Sequence, residues 1–233
     1  MTITTWAVNK TIKGITRLAC RIETEQLKRV PPSGPLILVC NHINFLEVPL
    51  VFTHLQPRPV TGFAKSETWD NPFLRPLFNL WEAIPLRRGE PDIVALRKGI
   101  QALQAGKIVA ISPEGTRSGN GQLGRGIPGV VLLAMNSGAP LLPMVYYGSE
   151  AFRPNLLRLR RTIFNIRVGQ TFYLDGHGVK TTREVRQLMV DEIMYQLAAL
   201  LPPEYRGVYK NLELATQHFL RFETPWAEFA TLI

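Results

Sequence analysis

Short, largely apolar runs recur along the chain at residues 36–40, 60–64, 83–86, 108–112, 141–147 and 163–168. Runs of this length, apolar with little alternation, mark strands buried on both faces of a sheet. Between them, apolar residues spaced three and four apart predict helices over 46–55, 69–80, 93–105, 130–136 and 183–200. Strand and helix alternate, which predicts an α/β fold: a mixed, largely parallel sheet flanked by helices.

Ahead of the first strand the pattern changes. At about 100° per residue, Val8, Ile12, Ile15, Ala19 and Ile22 share one sector, and Lys10, Lys13, Arg17 and Arg21 share the opposite one. An N-terminal amphipathic helix with a basic face is predicted. Two uses are open to it: packing its apolar stripe on the body, or lying in a membrane interface. In the second, each cation near anionic headgroups contributes roughly 1 kcal/mol, and Trp6 suits the interfacial level. The cluster Pro31, Pro32, Ser33, Gly34 and Pro35 breaks any helix. It divides the chain into an N-terminal segment, residues 1–30, and a body, residues 31–233. The last stretch holds Tyr205, Tyr209, Phe219, Phe222 and Trp226, too aromatic for a disordered tail but without an assignable pattern.

Length and composition narrow this little further. At 233 residues, 45% apolar and 19% charged, the chain suits one ordinary domain with a small appendage, neither disordered nor fibrous. Two cysteines make no disulfide framework, so Cys20 and Cys40 read as reduced, buried thiols of a cytosolic protein. No apolar run reaches the eighteen or so residues of a membrane span, and no secretory leader is evident.

The charge is more informative. Lys and Arg total 27 against 18 acids, a net +9. The excess is confined to two stretches without an acid: residues 1–22, and residues 151–174 with Arg153, Arg158, Arg160, Arg161 and Arg167. Such an imbalance implies an anionic partner: nucleic acid, a membrane surface or a phosphorylated ligand. Nucleic acid is disfavoured, because neither patch interleaves aromatic platforms with its cations. Residues 156–161 partly alternate, with Arg158 and Arg160 on one strand face and Leu157 and Leu159 on the other. They read as an edge strand protected by charge, or as a contact for anionic lipid or a ligand's phosphates.

Candidate chemistry sits just past two of the buried strands. Asn41 and His42 follow the first, and Glu47 comes five residues after the histidine. A carboxylate at that spacing can accept the ring's Nδ1 hydrogen and leave Nε2 as a base. The run Ser112-Pro113-Glu114-Gly115-Thr116-Arg117-Ser118 follows another. Arg117 offers a planar fork to a phosphate, Gly115 lets backbone approach closely, and Thr116 and Ser118 add hydroxyls. The plain alternative is a strand-to-loop turn in which Glu114 and Arg117 pair with each other. Ligand sites of open α/β sheets gather at the carboxyl ends of strands, so both segments are expected on one crevice. The remaining histidines, His54, His177 and His218, lie far apart and no metal-site spacing is present; His177, between Gly176 and Gly178, reads as a turn residue.

Four ordered blocks carry a resemblance: Asn41-His42 through Glu47-Val48-Pro49; Ala64-Lys65-Ser66-Glu67 with Asn71-Pro72 and Ile84-Pro85-Leu86-Arg87-Arg88-Gly89; Pro113 to Ser118 with Gly129; and Ala139 to Pro143 with Gly148. Over residues 30–175 or so the chain resembles the lysophospholipid acyltransferases, the family that includes 1-acylglycerol-3-phosphate acyltransferase. The resemblance implies a glycerol-3-phosphate acyltransferase-like fold over residues 31–233. It implies transfer of a fatty acyl group from a thioester, acyl-coenzyme A or acyl carrier protein, to a lysophospholipid hydroxyl, with no bound cofactor or metal. The leading acceptor is 1-acyl-sn-glycerol 3-phosphate; other lysophospholipids, glycerol 3-phosphate and a non-catalytic lipid-binding role are the alternatives. His42 becomes the general base and Glu47 its orienting partner, while Glu114, Gly115, Thr116 and chiefly Arg117 hold the acceptor's phosphate with Lys65 and Arg88. The enzyme is then cytoplasmic and peripheral on an anionic membrane. Two positions depart from the family: Glu47 stands where Asp is usual, and Glu82 where Gly is frequent.

Overall fold

The computed structural model describes residues 3–223. In chain order its regular elements are α1 (Ile3–Ala19), β1 (Cys20–Ile22), β2 (Leu36–Cys40), α2 (Glu47–His54), β3 (Val60–Lys65), α3 (Leu74–Leu80), β4 (Ile84–Leu86), α4 (Ile93–Gln104), β5 (Ile108–Ile111), α5 (Gly129–Ser137), β6 (Leu141–Tyr147), α6 (Phe152–Leu157), β7 (Thr162–Val168), β8 (Phe172–Leu174), α7 (Arg183–Leu200) and β9 (Leu220–Phe222). Strands run side by side in the order β1-β7-β6-β2-β5-β3-β4. β6, β2, β5, β3 and β4 are mutually parallel, β7 is antiparallel to β6, and β8 pairs antiparallel with the start of β6 while β9 pairs antiparallel with β8.

The central strand β2 is buried throughout because each of its faces meets a helical layer. Ile37 and Val39 pack with α4, α5 and α7 residues such as Leu103, Leu133 and Met194. Leu36, Leu38 and Cys40 point the other way, among Leu50 and Phe52 of α2, Trp81 and Phe164. Side chains alternate across a strand, so five consecutive apolar residues supply both cores. Cys20 and Cys40 are buried free thiols.

Several expected elements differ. Residues 69–80 split into a 3-10 turn at Ser66–Asp70 and the shorter α3. Pro72 holds Asn71 extended, and Asn71 Oδ1 then accepts the Phe73 and Leu74 N–H groups at 2.9 and 3.1 Å, starting a new helix. Residues 156–161 are no strand: α6 carries Leu156 and Leu157, and a turn precedes β7. The N-terminal helix ends at Ala19, so Ile22 lies in β1, paired in parallel with β7. α1 is also rotated from the expected orientation. Its buried residues are Asn9 and Thr16, with Val8, Ile12 and Ala19 half-buried beside them, while Ile15 and Leu18 face outward with Arg17 and Arg21. Asn9 explains the rotation, because its Oδ1 accepts the buried indole N–H of Trp81 at 2.9 Å and draws that face inward.

β8 and β9, absent from the expected strands, take in Phe222; Trp226 lies outside the described residues. His177 turns the chain at φ +46°, as its glycine neighbours predict. Glu82 has φ +51°, the left-handed region that favours glycine, which accounts for the glycine frequent there in the resembled family. The register beyond it is ordinary, with Lys65 opposite Leu86, so Arg87 and Arg88 follow directly on the end of β4.

Candidate active site

The carboxyl ends of β2, β5, β3 and β4 lie along one edge of the sheet, because those four strands are adjacent and parallel. That edge receives His42 from β2, residues 112–118 from β5, Lys65 from β3 and Arg88 from β4. Neighbouring strands are about 4.8 Å apart, so Lys65 lies roughly 10 Å and Arg88 roughly 14 Å along the edge from β2. The two segments singled out by chemistry meet directly. Ser118 N–H donates to the His42 carbonyl at 2.8 Å and Gly119 N–H to that of Ile43 at 3.1 Å.

The His42 loop is held at three points. Asn41, buried, continues the β2–β6 ladder with its side chain: Nδ2 donates to the Tyr146 carbonyl at 2.9 Å and Oδ1 accepts the Tyr146 N–H at 2.8 Å. Glu114 takes the backbone from beneath. Its Oε1 accepts the His42 N–H and its Oε2 the Gly124 N–H, each at 2.9 Å. Burial pushes the Glu114 carboxyl up, against the opposing pull of these two donors. Both its oxygens are thus engaged by backbone, and no ion pair with Arg117 forms among the described residues. The third point is the ring itself, whose Nδ1 lies 3.2 Å from Glu47 Oε2.

Glu47 begins α2 and is 4% exposed. A buried carboxylate needs its lone pairs filled. The Asn44 N–H lies 3.1 and 3.2 Å from its two oxygens, and the Ser149 hydroxyl donates to Oε1 at 3.1 Å. Asn44 Nδ2 closes the circuit on the Ser149 carbonyl at 2.8 Å. A ring hydrogen on Nδ1 would face this carboxylate and leave the Nε2 lone pair free; Nε2 has no partner among the described residues. Ser149 and Asn44 are the participants that sequence reasoning missed. Their signals were available: Asn44 lies inside the His42-to-Glu47 block, and Ser149 is one step past Gly148. That glycine, at φ +88°, admits no side chain, because a Cβ there would lie 2.7 Å from the Ile163 carbonyl.

Beside this network opens a cleft of about 330 Å³, lined by Asn44, Phe45, Arg117, Ser149, Phe152 and Arg153 among others. Its size is at the small end of ligand pockets, about 300–1,000 Å³. Phe45 and Phe152 meet edge to face at 5.7 Å on its rim. Arg117 is exposed and makes no ion pair among the described residues, and Gly115 at φ +68° turns the chain ahead of it. Lys65 and Arg88 are also exposed but do not line the cleft, and Lys65 pairs with Glu67 at 3.0 Å. Ser149 and Cys40 are not poised for covalent chemistry. Ser149 is fully buried, and burial pushes the Cys40 thiol up to about 12, so it stays protonated.

A sheet edge that brings a histidine–carboxylate pair to an arginine-bearing loop, beside a cleft that Arg117 lines and His42 and Glu47 do not, gives this α/β protein the layout of a candidate enzyme site. The chain belongs to the Acyltransferase family, whose model matches residues 21–147, and it is an acyltransferase enzyme. It is 26% identical over 155 residues to the 1-acyl-sn-glycerol-3-phosphate acyltransferase of Bacillus subtilis (strain 168), covering 64% of this chain and 75% of that one. To the enzyme of the same name from Pseudomonas aeruginosa it is 25% identical over 190 residues, 80% of this chain and 72% of that one. The crystal structure of the 1-acyl-sn-glycerophosphate acyltransferase from Thermotoga maritima shares the fold, with a TM-score of 0.63 over 84% of this chain and 78% of that one, at 22% identity.

Proposed function

We propose that this acyltransferase converts 1-acyl-sn-glycerol 3-phosphate to phosphatidic acid at the surface of an anionic membrane, with acyl-coenzyme A or acyl carrier protein as donor. The observation that carries the reading is the His42–Glu47 pair beside a cleft lined by Arg117. The names of the Bacillus and Pseudomonas relatives support the acceptor.

His42 Nε2 removes the proton of the free glycerol hydroxyl as that oxygen attacks the thioester carbonyl. The tetrahedral adduct collapses, the carbon–sulfur bond breaks, and the thiolate leaves and takes the proton. An alcohol is a weak nucleophile at neutral pH, so a base is required; a thioester is activated enough that no acyl-enzyme is needed. Glu47 holds the ring in the productive tautomer and stabilises the imidazolium. Arg117 binds the acceptor's phosphate, with the turn at Gly115 and the Thr116 hydroxyl beside it, and Lys65 and Arg88 extend the positive field along the sheet edge. Glu114 serves that site from below, bracing the His42 backbone against the loop at Gly124.

The cleft suits a glycerophosphate head group, which leaves the acyl chains outside. Full extraction of a lipid costs about 0.8 kcal/mol per exposed methylene, which favours work at the bilayer surface. Among the described residues no helix is long and apolar enough to cross a membrane. Residues 1–30 form the membrane-facing segment in this reading and residues 31–233 the acyltransferase domain. The test is turnover by the purified protein with 1-acylglycerol 3-phosphate, other lysophospholipids and glycerol 3-phosphate, each with both donor types. Phosphatidic acid formation above all other products is expected; no turnover with any phosphate-bearing acceptor overturns the proposal.

A further inference from the structure

Helix α6 ends in a way the fold itself does not repay. Arg160 N–H reaches back to the Asn155 carbonyl at 2.8 Å and Leu159 N–H to that of Leu156 at 3.1 Å, the paired bonds of a Schellman cap. The residue at the left-handed position of such a cap is usually glycine; here it is Leu159, at φ +52°. Its side chain is 94% exposed, as Leu157 is 87% and Leu156 52%. A leucine that strains the backbone and then faces water gains nothing inside the chain, so its partner lies outside it.

The surroundings specify that partner. The turn interleaves these leucines with Arg158, Arg160 and Arg161, and residues 151–174 contain no acid. Arg161 Nη2 donates to the carbonyls of Arg17 and Cys20 at 2.6 and 2.8 Å, tying the turn to the end of α1. There Leu18 is 79% exposed, beside Arg17 and Arg21, and β1 sets Arg21 opposite the exposed Ile163 of β7. The two basic stretches, far apart in sequence, therefore meet where the end of α1 and β1 adjoin the α6–β7 turn, on one apolar and cationic surface. α6 also leads back to the site: Phe152 and Arg153, on its first turn, line the cleft. At 1.5 Å per residue, Leu157 lies roughly 8 Å along the helix from Phe152, comparable to the about 5–10 Å depth of interfacial insertion.

We propose that the α6–β7 turn inserts Leu156, Leu157 and Leu159 into an anionic bilayer, with Arg158 and Arg160 on the headgroups, and so sets the mouth of the cleft at headgroup level. This rests on the membrane-surface reading above, and its test does not depend on turnover. Leu159→Gly preserves the cap, because glycine favours that conformation, and Leu157→Ser removes the second apolar side chain. The full chain, the two single variants and the double variant are sedimented with sucrose-loaded vesicles of equal phosphatidylglycerol and phosphatidylcholine. Each substitution is expected to weaken partition by about tenfold or more, and the pair on the order of a hundredfold. The thermal midpoint of Leu159→Gly is expected to equal or exceed that of the parent.

A double variant that binds these vesicles within twofold of the parent overturns the proposal. So does a parent that self-associates without vesicles while the variant does not, since the face then belongs to a second copy of the chain. A short-chain, water-soluble 1-acylglycerol 3-phosphate separates the two claims. Equal turnover by parent and variant places the defect at the membrane, whereas a parent inactive on every acceptor sinks the acyl-transfer reading and leaves the vesicle result to stand alone.

Discussion

Replacing Glu47 by glutamine keeps the size of the side chain and removes its charge. In the parent the carboxylate receives three donors: the Asn44 N–H, the Ser149 hydroxyl and the His42 ring hydrogen at 3.2 Å. An amide has one acceptor oxygen. If that oxygen keeps Asn44 and Ser149, the amide NH₂ faces Nδ1, and the ring satisfies it only by moving its hydrogen to Nε2. The atom meant to take the substrate's proton is then already protonated. General-base catalysis contributes roughly 10²–10⁴-fold, so kcat should fall within that range, with KM for the acceptor little changed. Raising the pH should not restore the rate, because the fault is the tautomer and not the degree of ionisation. Hydrogen bonds to a buried charge contribute about 1.5–3 kcal/mol each, and two of the three are retained in weaker, neutral form. A loss of about 1–2 kcal/mol is expected, roughly 2–8 °C in thermal midpoint for a chain of this size. Steady-state kinetics between pH 6 and 9 and circular dichroism on the same preparation check both parts. Turnover within twofold of the parent across that range would refute the tautomer argument and remove Glu47 from the mechanism.

Two further outcomes follow from the same geometry. Arg117→Ala should raise the acceptor KM by about tenfold or more while leaving kcat within a few-fold, as for a charge-assisted bond to phosphate lost from ground and transition states alike; a fall in kcat alone would assign Arg117 to the transition state. His54 provides a pH test. Burial first, then the Lys13 and Arg17 charges of α1, push its pKa down from 6.5 to about 4. The unfolded chain therefore takes up this proton before the folded one does, so the contribution to stability is complete above pH 6.5 and is lost as the pH falls toward 4. Its Nε2 is buried without a partner, so His54→Leu should be tolerated at pH 7. Between pH 6.5 and 4 the parent should lose about 1 kcal/mol more than the variant once solvent screening is allowed for, roughly 2–4 °C. Parallel curves for the two proteins would contradict the assignment.

Much of the fold could be read from the chain because burial on both faces leaves an unambiguous mark. The runs at 36–40, 108–112 and 141–147 became β2, β5 and β6, and α7 took the bounds expected from its spacing. The failures are local and physical. A two-residue periodicity at 156–161 is also what a helix end followed by a left-handed turn produces, so Leu157 and Leu159 read as one face of a strand. A helical pattern at 69–80 outweighed Asn71-Pro72, although that pair both stops one helix and caps the next. For α1, the wheel ranked residues by hydrophobicity alone; one buried bond from Trp81 to Asn9 decided which face turned inward. The site divides in the same way. His42, Glu47 and Arg117 were visible because each residue type at its spacing has a chemical meaning. Asn44 and Ser149 lay within or beside the motif blocks, but a serine that fills a lone pair of a carboxylate 102 residues away, and the asparagine that bonds to both, take on a role only once β6 lies against β2. Glu114 was visible but its direction was not: the chain shows a carboxylate beside an arginine, and only the fold shows both oxygens turned to the backbone of His42 and Gly124.

The central claim is that His42 is the base of an acyl transfer to a phosphate-bearing acceptor. Its most direct test is the rate of phosphatidic acid formation by the parent and by His42→Ala, from 1-acylglycerol 3-phosphate in anionic vesicles with acyl-coenzyme A or acyl carrier protein as donor. The account predicts product from the parent, a fall of about 10²–10⁴-fold or more in the variant, and unchanged vesicle binding. Near-parental turnover by His42→Ala would contradict it.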